Sequence, residues 1–220
     1  MTGKKNKDTA KSDHQEVLDN IVQAAFEKVR EKGWKHLSLS DIAESADMSL
    51  ADLRRYIGSK SDILSVYNKS LDSRVLANLG EMEISSDIPA KDRLFDIMME
   101  RFDLMNQDRE ALTPIIKTLD PDPAGMIENC LRLKNSLTWM LEAAGLGPSG
   151  LHGKMRVKGL MVIYLVGLKT WLEDDSPDLS STMARLDKLL KQAEQLANTL
   201  RMGQGESADP GHENEPVAAA

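Results

Sequence analysis

Apolar residues recur at helical spacing along most of this chain of 220 residues. Residues three and four positions apart share one face of a helix, so the pattern predicts amphipathic helices rather than strands. The predicted helices span residues 13–33, 39–46, 50–57, 60–79, 90–106, 108–119, 123–144, 151–172 and 180–201. No segment alternates apolar and polar residues for long enough to predict a strand. The sequence therefore predicts an all-α fold.

A hydroxyl residue precedes an aspartate by three positions at three closely spaced helix starts. The pairs are Ser38/Asp41, Ser49/Asp52 and Ser59/Asp62. This spacing resembles a capping box, in which each side chain satisfies a backbone N–H at a helix start. Only a few residues around Asp47 separate the first two helices. Two short helices joined by such a turn make a helix-turn-helix, whose second helix enters the DNA major groove.

The same segment carries a family resemblance. IAESADMSLADLRRYIGSKSDIL, residues 42–64, resembles the DNA-binding segment of TetR-family bacterial transcription regulators, and residues 17–39 resemble that family's first helix. The matching positions are Ile42, Ala43, Ala46, Ser49, Leu53, Tyr56, Ser59, Lys60 and Leu64. The resemblance implies a helix-turn-helix domain at 13–60, a connecting helix at 61–80, and a ligand-binding and dimerisation domain at 90–201. It also implies a homodimer that binds double-stranded DNA.

The residues that this resemblance assigns to DNA binding are partly altered. They are Ser38, Ser40, Ser49, Leu50, Ala51, Asp52, Arg54, Arg55, Tyr56 and Lys60. Tyr56 and Lys60 match family positions that hold phosphates. The family's usual Lys, Gly and Thr at the start of the recognition helix are replaced by Leu50, Ala51 and Asp52. An acidic residue here suits the helix dipole but repels phosphate, so DNA binding by this helix is an open question.

Residues 139–196 suggest an alternative. They resemble the C-terminal half of a mitochondrial ubiquinone-biosynthesis lipid-binding family, which shares the TetR-like fold and does not regulate transcription. The similar features are the apolar helix ending at Trp171, the turn around Asp174 and the sequence that follows Thr182. That family adds a C-terminal amphipathic membrane helix, whereas residues 203–220 have no apolar face. The alternative function is lipid binding with a vestigial helix-turn-helix.

Charge is unevenly distributed along the chain. Residues 1–80 hold 13 Lys or Arg and 12 Asp or Glu, whereas the other 140 hold 15 and 23, within a net charge of −7. A nearly neutral N-terminal part on an acidic body suits contact with DNA through one small patch. The lysine-rich residues 1–12 are predicted to be a disordered basic arm, 81–90 a connector, and 202–220 a disordered tail.

Two further surfaces follow from the apolar residues of the C-terminal part. Methionine-rich segments favour a cavity for a small apolar ligand. The candidate pocket residues are Phe95, Met98, Phe102, Met105, Trp139, Met140, Met161 and Tyr164. The last two helices carry more apolar surface than one core needs, which predicts a homodimer interface. Its candidate residues are Leu165, Leu168, Leu172, Leu186, Leu189, Leu190 and Leu196.

Other motifs argue against enzymatic chemistry. Gly145–Gly150 matches GxGxxG, but it follows a helix rather than a strand, so we expect a loop and not a dinucleotide site. The four histidines are scattered, and a lone Cys130 forms no disulfide, so neither a metal site nor a cofactor is predicted. The N-terminus lacks the apolar segment of a secretory signal, and no apolar run is long enough to insert into a membrane. We therefore expect a cytoplasmic, non-enzymatic protein.

Overall fold

The computed structural model describes residues 2–81, 88–118 and 123–205, with side chains placed for 13–80, 88–118 and 130–199. Within these residues it contains nine α-helices and no strand, which confirms the predicted all-α class. The helices are α1 Thr2–Lys32, α2 Leu39–Ser45, α3 Leu50–Tyr56, α4 Lys60–Glu81, α5 Ala90–Gln107, α6 Arg109–Thr118, α7 Pro123–Ala143, α8 Gly150–Glu173 and α9 Ser180–Gly205. We call α1–α3 with the start of α4 the head, and α5–α9 the body.

The chain ends differ from the sequence prediction. Helix α1 begins at Thr2, so residues 2–12 are helical rather than a disordered arm. Four lysines in that segment favour helix once a packed helix follows from which to propagate. At the other end, α9 continues to Gly205, past the predicted start of the tail at 202. Most of the predicted connector and the rest of the predicted tail lie outside the described residues.

The head is held by one apolar core. Ile21, Phe26, Ile42 and Leu53, from three helices, are fully buried at 0% exposure. Tyr67 of α4 extends this core, because its ring lies 5.0 Å from that of Phe26 between centroids. Burying such side chains contributes about 1.5–3 kcal/mol each, which compensates for the shortness of α2 and α3. Packing therefore fixes the angle at which α3 is presented.

The body is a bundle in which α8 packs closely against α9. Gly167 of α8 makes that approach possible, since a Cβ atom there would lie 2.7 Å from Leu186 Cδ2. Phe102 of α5 fills the neighbouring space, with its ring 5.4 Å from that of Tyr164 and 6.5 Å from that of Trp171. The four side chains of Leu186, Phe102, Tyr164 and Trp171 therefore pack together in one core of the body.

Glycines end two helices as expected. Gly33 follows α1 with a φ of +75°, and its N–H donates to the carbonyl oxygen of Val29 at 2.9 Å. Gly145 and Gly150 also have left-handed φ angles, +76° and +72°. Glycine adopts this region without steric cost. The GxGxxG match is therefore a turn between α7 and α8, as predicted, and not a nucleotide site.

The turn before α9 is organised by a buried carboxylate. Asp174 is 3% exposed and accepts hydrogen bonds from the Thr182 backbone N–H at 2.7 Å and from its hydroxyl at 2.8 Å. It also accepts from Ser176. Burial raises the pKa of Asp174, but the hydrogen bonds from Ser176 and Thr182 outweigh it and lower that pKa to about 2. Asp174 therefore caps the start of α9.

Candidate nucleic-acid interface

The start of α2 is fixed by a complete capping box. Asp41 N–H donates to Ser38 Oγ at 3.1 Å, and Ser38 N–H donates to Asp41 Oδ2 at 2.9 Å. Lys32 at the end of α1 donates to Asp41 Oδ1 at 2.6 Å. These bonds from Lys32 and Ser38 hold the pKa of Asp41 well below its usual range. The Ser38 hydroxyl is therefore committed to the helix cap, while Ser40 on the first turn of α2 is exposed.

The turn between α2 and α3 depends on Asp47. Its φ is +53°, in the left-handed region that few residues other than glycine adopt, and aspartate tolerates it better than most. The Met48 N–H donates to the Ala43 carbonyl at 3.0 Å and closes the turn. Asp47 therefore adopts a backbone conformation that glycine usually supplies, and the helix-turn-helix geometry is retained.

At the start of α3, the acidic residue Asp52 is hydrogen-bonded to the N-cap residue Ser49. Ser49 is the N-cap, and its Oγ accepts from the Asp52 N–H at 3.1 Å while donating to Asp52 Oδ2 at 2.7 Å. The other carboxylate oxygen lies 3.4 Å from a guanidinium nitrogen of Arg55. Asp52 is thus engaged by neighbours on both sides. This arrangement partly neutralises the carboxylate that the sequence analysis identified as repulsive to phosphate.

The outer face of α3 is open to solvent. Leu50 is 50% exposed, and Ala51, Arg54 and Arg55 are also exposed, whereas Leu53 at 0% anchors the opposite face. The Arg55 side chain is 78% exposed. One face of this short helix therefore presents two guanidinium groups beside two apolar residues. Guanidinium groups can reach both phosphates and guanine edges in a major groove.

The two predicted phosphate-binding residues are tied to the head itself. Tyr56 is half-buried, and its ring lies 5.2 Å from that of His14 on α1. The Lys60 ammonium donates to the Trp34 carbonyl at 2.9 Å and lies 5.2 Å from the centre of the Trp34 ring. Sequence reasoning did not identify either partner. Lys60 has further N–H donors, so it keeps capacity for a phosphate while joining α4 to the end of α1.

The eight candidate pocket residues do not all enclose one cavity. Met98, Phe102, Met105, Met140 and Tyr164 are buried, Phe95 and Met161 are half-buried, and Trp139 is 57% exposed. A small cavity of about 10 Å³ is lined by Trp139 and Met140 together with Asp72, Val75, Leu76, Ile97 and Ser136. The structure places Trp139 at its surface edge, contrary to the expectation of a buried lining.

Beside that cavity lies a polar cluster that the sequence analysis missed. Arg101 of α5 is 1% exposed, and its guanidinium donates to Asp72, to Asn68 Oδ1 at 3.0 Å and to the Tyr164 hydroxyl at 3.2 Å. Ser136 of α7 donates to the other oxygen of Asp72 at 2.6 Å. We call these five side chains the buried-arginine network. The network joins α4, α5, α7 and α8. No short sequence motif predicts it, because its residues are far apart along the chain.

Known proteins with a similar sequence or fold indicate which class of protein this chain resembles. No protein-family model matches the chain. A crystal structure of a TetR transcriptional regulator from Nitrosomonas europaea superposes with a TM-score of 0.65 at 25% identity, covering 81% of this chain and 98% of that one. The chain is therefore similar in fold, and over part of its length in sequence, to transcriptional regulators of the TetR type.

Two further regulators resemble this chain. The transcriptional regulator PksA of Bacillus subtilis is 25% identical over 88 residues, a match that spans 40% of this chain and 42% of PksA. FadR of Bacillus subtilis, solved with stearoyl-CoA, has a TM-score of 0.55 at 19% identity and covers 78% of this chain and 96% of that one. The FadR likeness is one of fold.

The candidate dimer residues divide into two groups. Leu186 and Leu190 are 0% and 4% exposed within one protomer, so their assignment to a dimer interface was wrong. They face inward because α9 turns them towards α5 and α8. Leu165 and Leu196 are 48% and 62% exposed, and Leu168, Leu172 and Leu189 are half-buried. The exposed apolar residues of α8 form a longer stripe, comprising Leu151, Met155, Val162 and Leu165.

Within the described residues, no helix is long and apolar enough to cross a membrane, and no group of three or more candidate ligands could hold a metal ion.

Proposed function

We propose that the protein is a DNA-binding transcriptional regulator that binds its operator as a homodimer and responds to a small apolar ligand. The observation that carries this proposal is the exposed face of α3, with Arg54 and Arg55 free of the head core while Leu53 anchors the helix. The capped helices and the Asp47 turn support it, because they preserve the helix-turn-helix despite the altered residues.

Dimerisation is supported by the apolar stripe on α8. Val162 is 63% exposed and Leu165 48%, on a helix whose other face is buried in the body. Contiguous exposed apolar surface of this kind is unusual on a protein that remains monomeric. A twofold arrangement brings the same stripe of two protomers together, and it allows two heads to reach successive major grooves about 34–36 Å apart.

Ligand responsiveness is supported by the cavity beside the buried-arginine network. Its walls are mainly apolar, from Val75, Ile97 and Met140, and FadR with the same fold is solved with stearoyl-CoA. A volume of about 10 Å³ holds roughly one water molecule. A ligand must therefore widen this space, and we expect α4 and α7 to move apart when it binds. Such a movement changes operator affinity only as far as the ligand prefers the widened state.

The test is a salt titration of DNA binding with a matched pair of arginine variants. Arg55→Ala removes an exposed α3 guanidinium, and Arg185→Ala removes an exposed one on α9, so both change net charge equally. We expect Arg55→Ala to weaken binding to promoter fragments and to reduce the slope of log affinity against log salt by about one. Arg185→Ala should match the wild type. Arg55 is a cleaner probe than Lys60, because its removal breaks only an exposed ion pair with Asp52, whereas removal of Lys60 breaks the part-buried bond to the Trp34 carbonyl.

A different outcome would favour the lipid-binding alternative. If neither wild type nor Arg55→Ala shifts duplex DNA at low salt, the helix-turn-helix is vestigial and the proposal fails. Mass spectrometry of an organic extract of the purified protein, run beside the gel shift, would then look for a bound lipid. A DNA shift with the expected salt dependence supports the regulator whether or not lipid is found.

A further inference from the structure

The outer face of α3 carries two apolar residues that the core of the head does not require. Leu50 is 50% exposed, and Ala51 beside it is also exposed. Among the described side chains of residues 13–57, Leu50 is the one large apolar side chain that lies open to solvent. Leu53 on the opposite face is 0% exposed, so α3 does not need Leu50 as an anchor. The surface proposed to face DNA therefore exposes apolar groups as well as cations.

The polar side chains at the start of α3 are committed to one another. Ser49 Oγ accepts from the Asp52 N–H at 3.1 Å and donates to Asp52 Oδ2 at 2.7 Å. The other carboxylate oxygen of Asp52 lies 3.4 Å from a guanidinium nitrogen of Arg55. Asp52 also lies on the flank of α3, about 100° round the helix from Ala51. The described side chains on the outer face of this first turn are therefore apolar, and its polar ones are already hydrogen-bonded.

The guanidinium group of Arg54 is turned away from the apolar pair. Arg54 follows Leu50 by four residues, so both lie on the same side of α3, about 6 Å apart along its axis. A Cβ atom at Gly58 would lie 3.3 Å from Arg54 Nη1, so the guanidinium lies against the turn before α4. It therefore leaves the methyl groups of Leu50 open, in agreement with the 50% exposure of that side chain.

The chemistry of the major groove limits what this apolar pair can recognise. In a helix-turn-helix, the first residues of the second helix contact base edges in the major groove. Base pairs present hydrogen-bond donors and acceptors there, and the one apolar group is the C5 methyl of thymine. Covering a donor or acceptor with an apolar side chain removes its water without replacing the hydrogen bond, which is unfavourable. Leu50 and Ala51 therefore suit thymine better than the other three bases.

We propose that Leu50, with Ala51 beside it, recognises the methyl group of a thymine in each half-site of the operator. This inference rests on the proposed DNA binding and adds to it the base that the first turn of α3 selects. Burial of one methyl group corresponds to about a fourfold gain in affinity at each half-site. A homodimer makes this contact twice, so the two half-sites together give a preference of about fifteenfold for thymine over a base without the methyl group.

The test compares thymine with uracil, which forms the same base pair and lacks only the C5 methyl group. A bound sequence is first selected from random duplex DNA with the full chain. Synthetic duplexes of that sequence then carry uracil in place of one thymine position, in both half-sites at once. We expect one position at which the wild type loses about tenfold or more in affinity, measured by fluorescence anisotropy at one fixed salt concentration.

Variants of Leu50 assign the sensitive position to α3. Leu50→Ala should lower the ratio of thymine to uracil affinity at that position at least threefold, whereas Leu50→Met keeps an apolar side chain of similar volume and should preserve the ratio. Leu131→Ala is the matched control, because Leu131 is 55% exposed on α7 of the body, and it should behave like the wild type. Leu50 is half exposed, so its variants should unfold at close to the wild-type temperature.

The possible outcomes separate this inference from the proposed function. If the selected DNA binds but no thymine position is sensitive to uracil, the inference is overturned while DNA binding stands. The same holds if Leu50→Ala keeps the wild-type ratio at the sensitive position. If the full chain selects no duplex from the random pool, the proposed function fails and this inference fails with it.

Discussion

The change Asp72→Ala should destabilise the protomer more than any surface substitution. Asp72 is the carboxylate that pairs with Arg101, whose side chain is 1% exposed. Removing one partner of a buried ion pair leaves the other charge unpaired, which costs about 3–5 kcal/mol. The Asp72 side chain is 21% exposed, so water can partly take over its hydrogen bonds to Arg101. The expected cost of the unpaired charge is therefore at the lower end of this range. The buried hydroxyl of Ser136 also loses its acceptor, which adds about 1 kcal/mol.

The expected loss is therefore about 3–4 kcal/mol in the free energy of unfolding. A matched control is Asp187→Ala, which breaks a surface pair with Lys191 at 2.7 Å between side chains that are 43% and 56% exposed. Such pairs contribute only about 0.3–0.5 kcal/mol. Asp72→Asn should fall between the two, since an amide oxygen can still accept from Arg101 without supplying a charge.

Urea unfolding followed by circular dichroism at one fixed protein concentration measures these differences, because dimerisation makes apparent stability depend on concentration. Adding Arg101→Met to Asp72→Ala should recover part of the loss, since the unpaired charge is then replaced by an apolar side chain of similar length. If Asp72→Ala costs no more than Asp187→Ala, or if Arg101→Met recovers nothing, the reasoning about the unpaired guanidinium is refuted.

Two further predictions concern the dimer and the turn before α9. Leu165→Glu should give monomers in analytical ultracentrifugation, with helix content by circular dichroism unchanged, because it buries an unpaired charge in the proposed interface. The control Lys134→Glu on α7 should leave the dimer intact. A dimeric Leu165→Glu protein would contradict the α8 interface. The pKa of Asp174 is lowered in the folded state, so its stabilisation is present above pH 4 and is lost as pH falls through about 2. Asp174→Asn should remove that part of the pH dependence of unfolding, and an unchanged acid profile would show that Thr182 does not depend on the carboxylate.

Local signals predicted the head well. The serine and aspartate at each helix start are sufficient to locate α2 and α3, and the Ser38/Asp41 bonds are those the spacing predicts. Gly33 was predicted to end the first helix, and it adopts the left-handed backbone that this role needs. These features involve residues within about four positions of one another, which is the range that a sequence pattern reports directly.

Contacts between distant helices were not predicted. Arg101 lies 29 residues from Asp72 and 63 from Tyr164, and nothing local marks an arginine in the middle of α5 as buried. The sequence shows an apolar stripe on α9, formed by Leu186, Leu189, Leu190 and Leu196. Such a stripe does not say whether Leu186 faces the core of its own protomer or a second protomer. Gly167 decides that question, because it lets α9 approach α8 closely. The sequence feature that could have predicted the inward position of Leu186 is therefore a small residue, Gly167, on the neighbouring helix α8.

The buried-arginine network also bears on how the body could act on the head. Lys60 starts α4 and binds the Trp34 carbonyl in the head, whereas Asp72 on the same helix binds Arg101 in the body. With a rise of about 1.5 Å per residue, these two anchor points are about 18 Å apart on one continuous helix. The hydrogen bond between Asn78 and Glu100, at 2.6 Å, adds a further tie between α4 and α5. A ligand that displaces α5 must therefore move α4 or break the Arg101 pair, and a movement of α4 reaches the head through the contacts of Lys60 with Trp34 and of Tyr67 with Phe26.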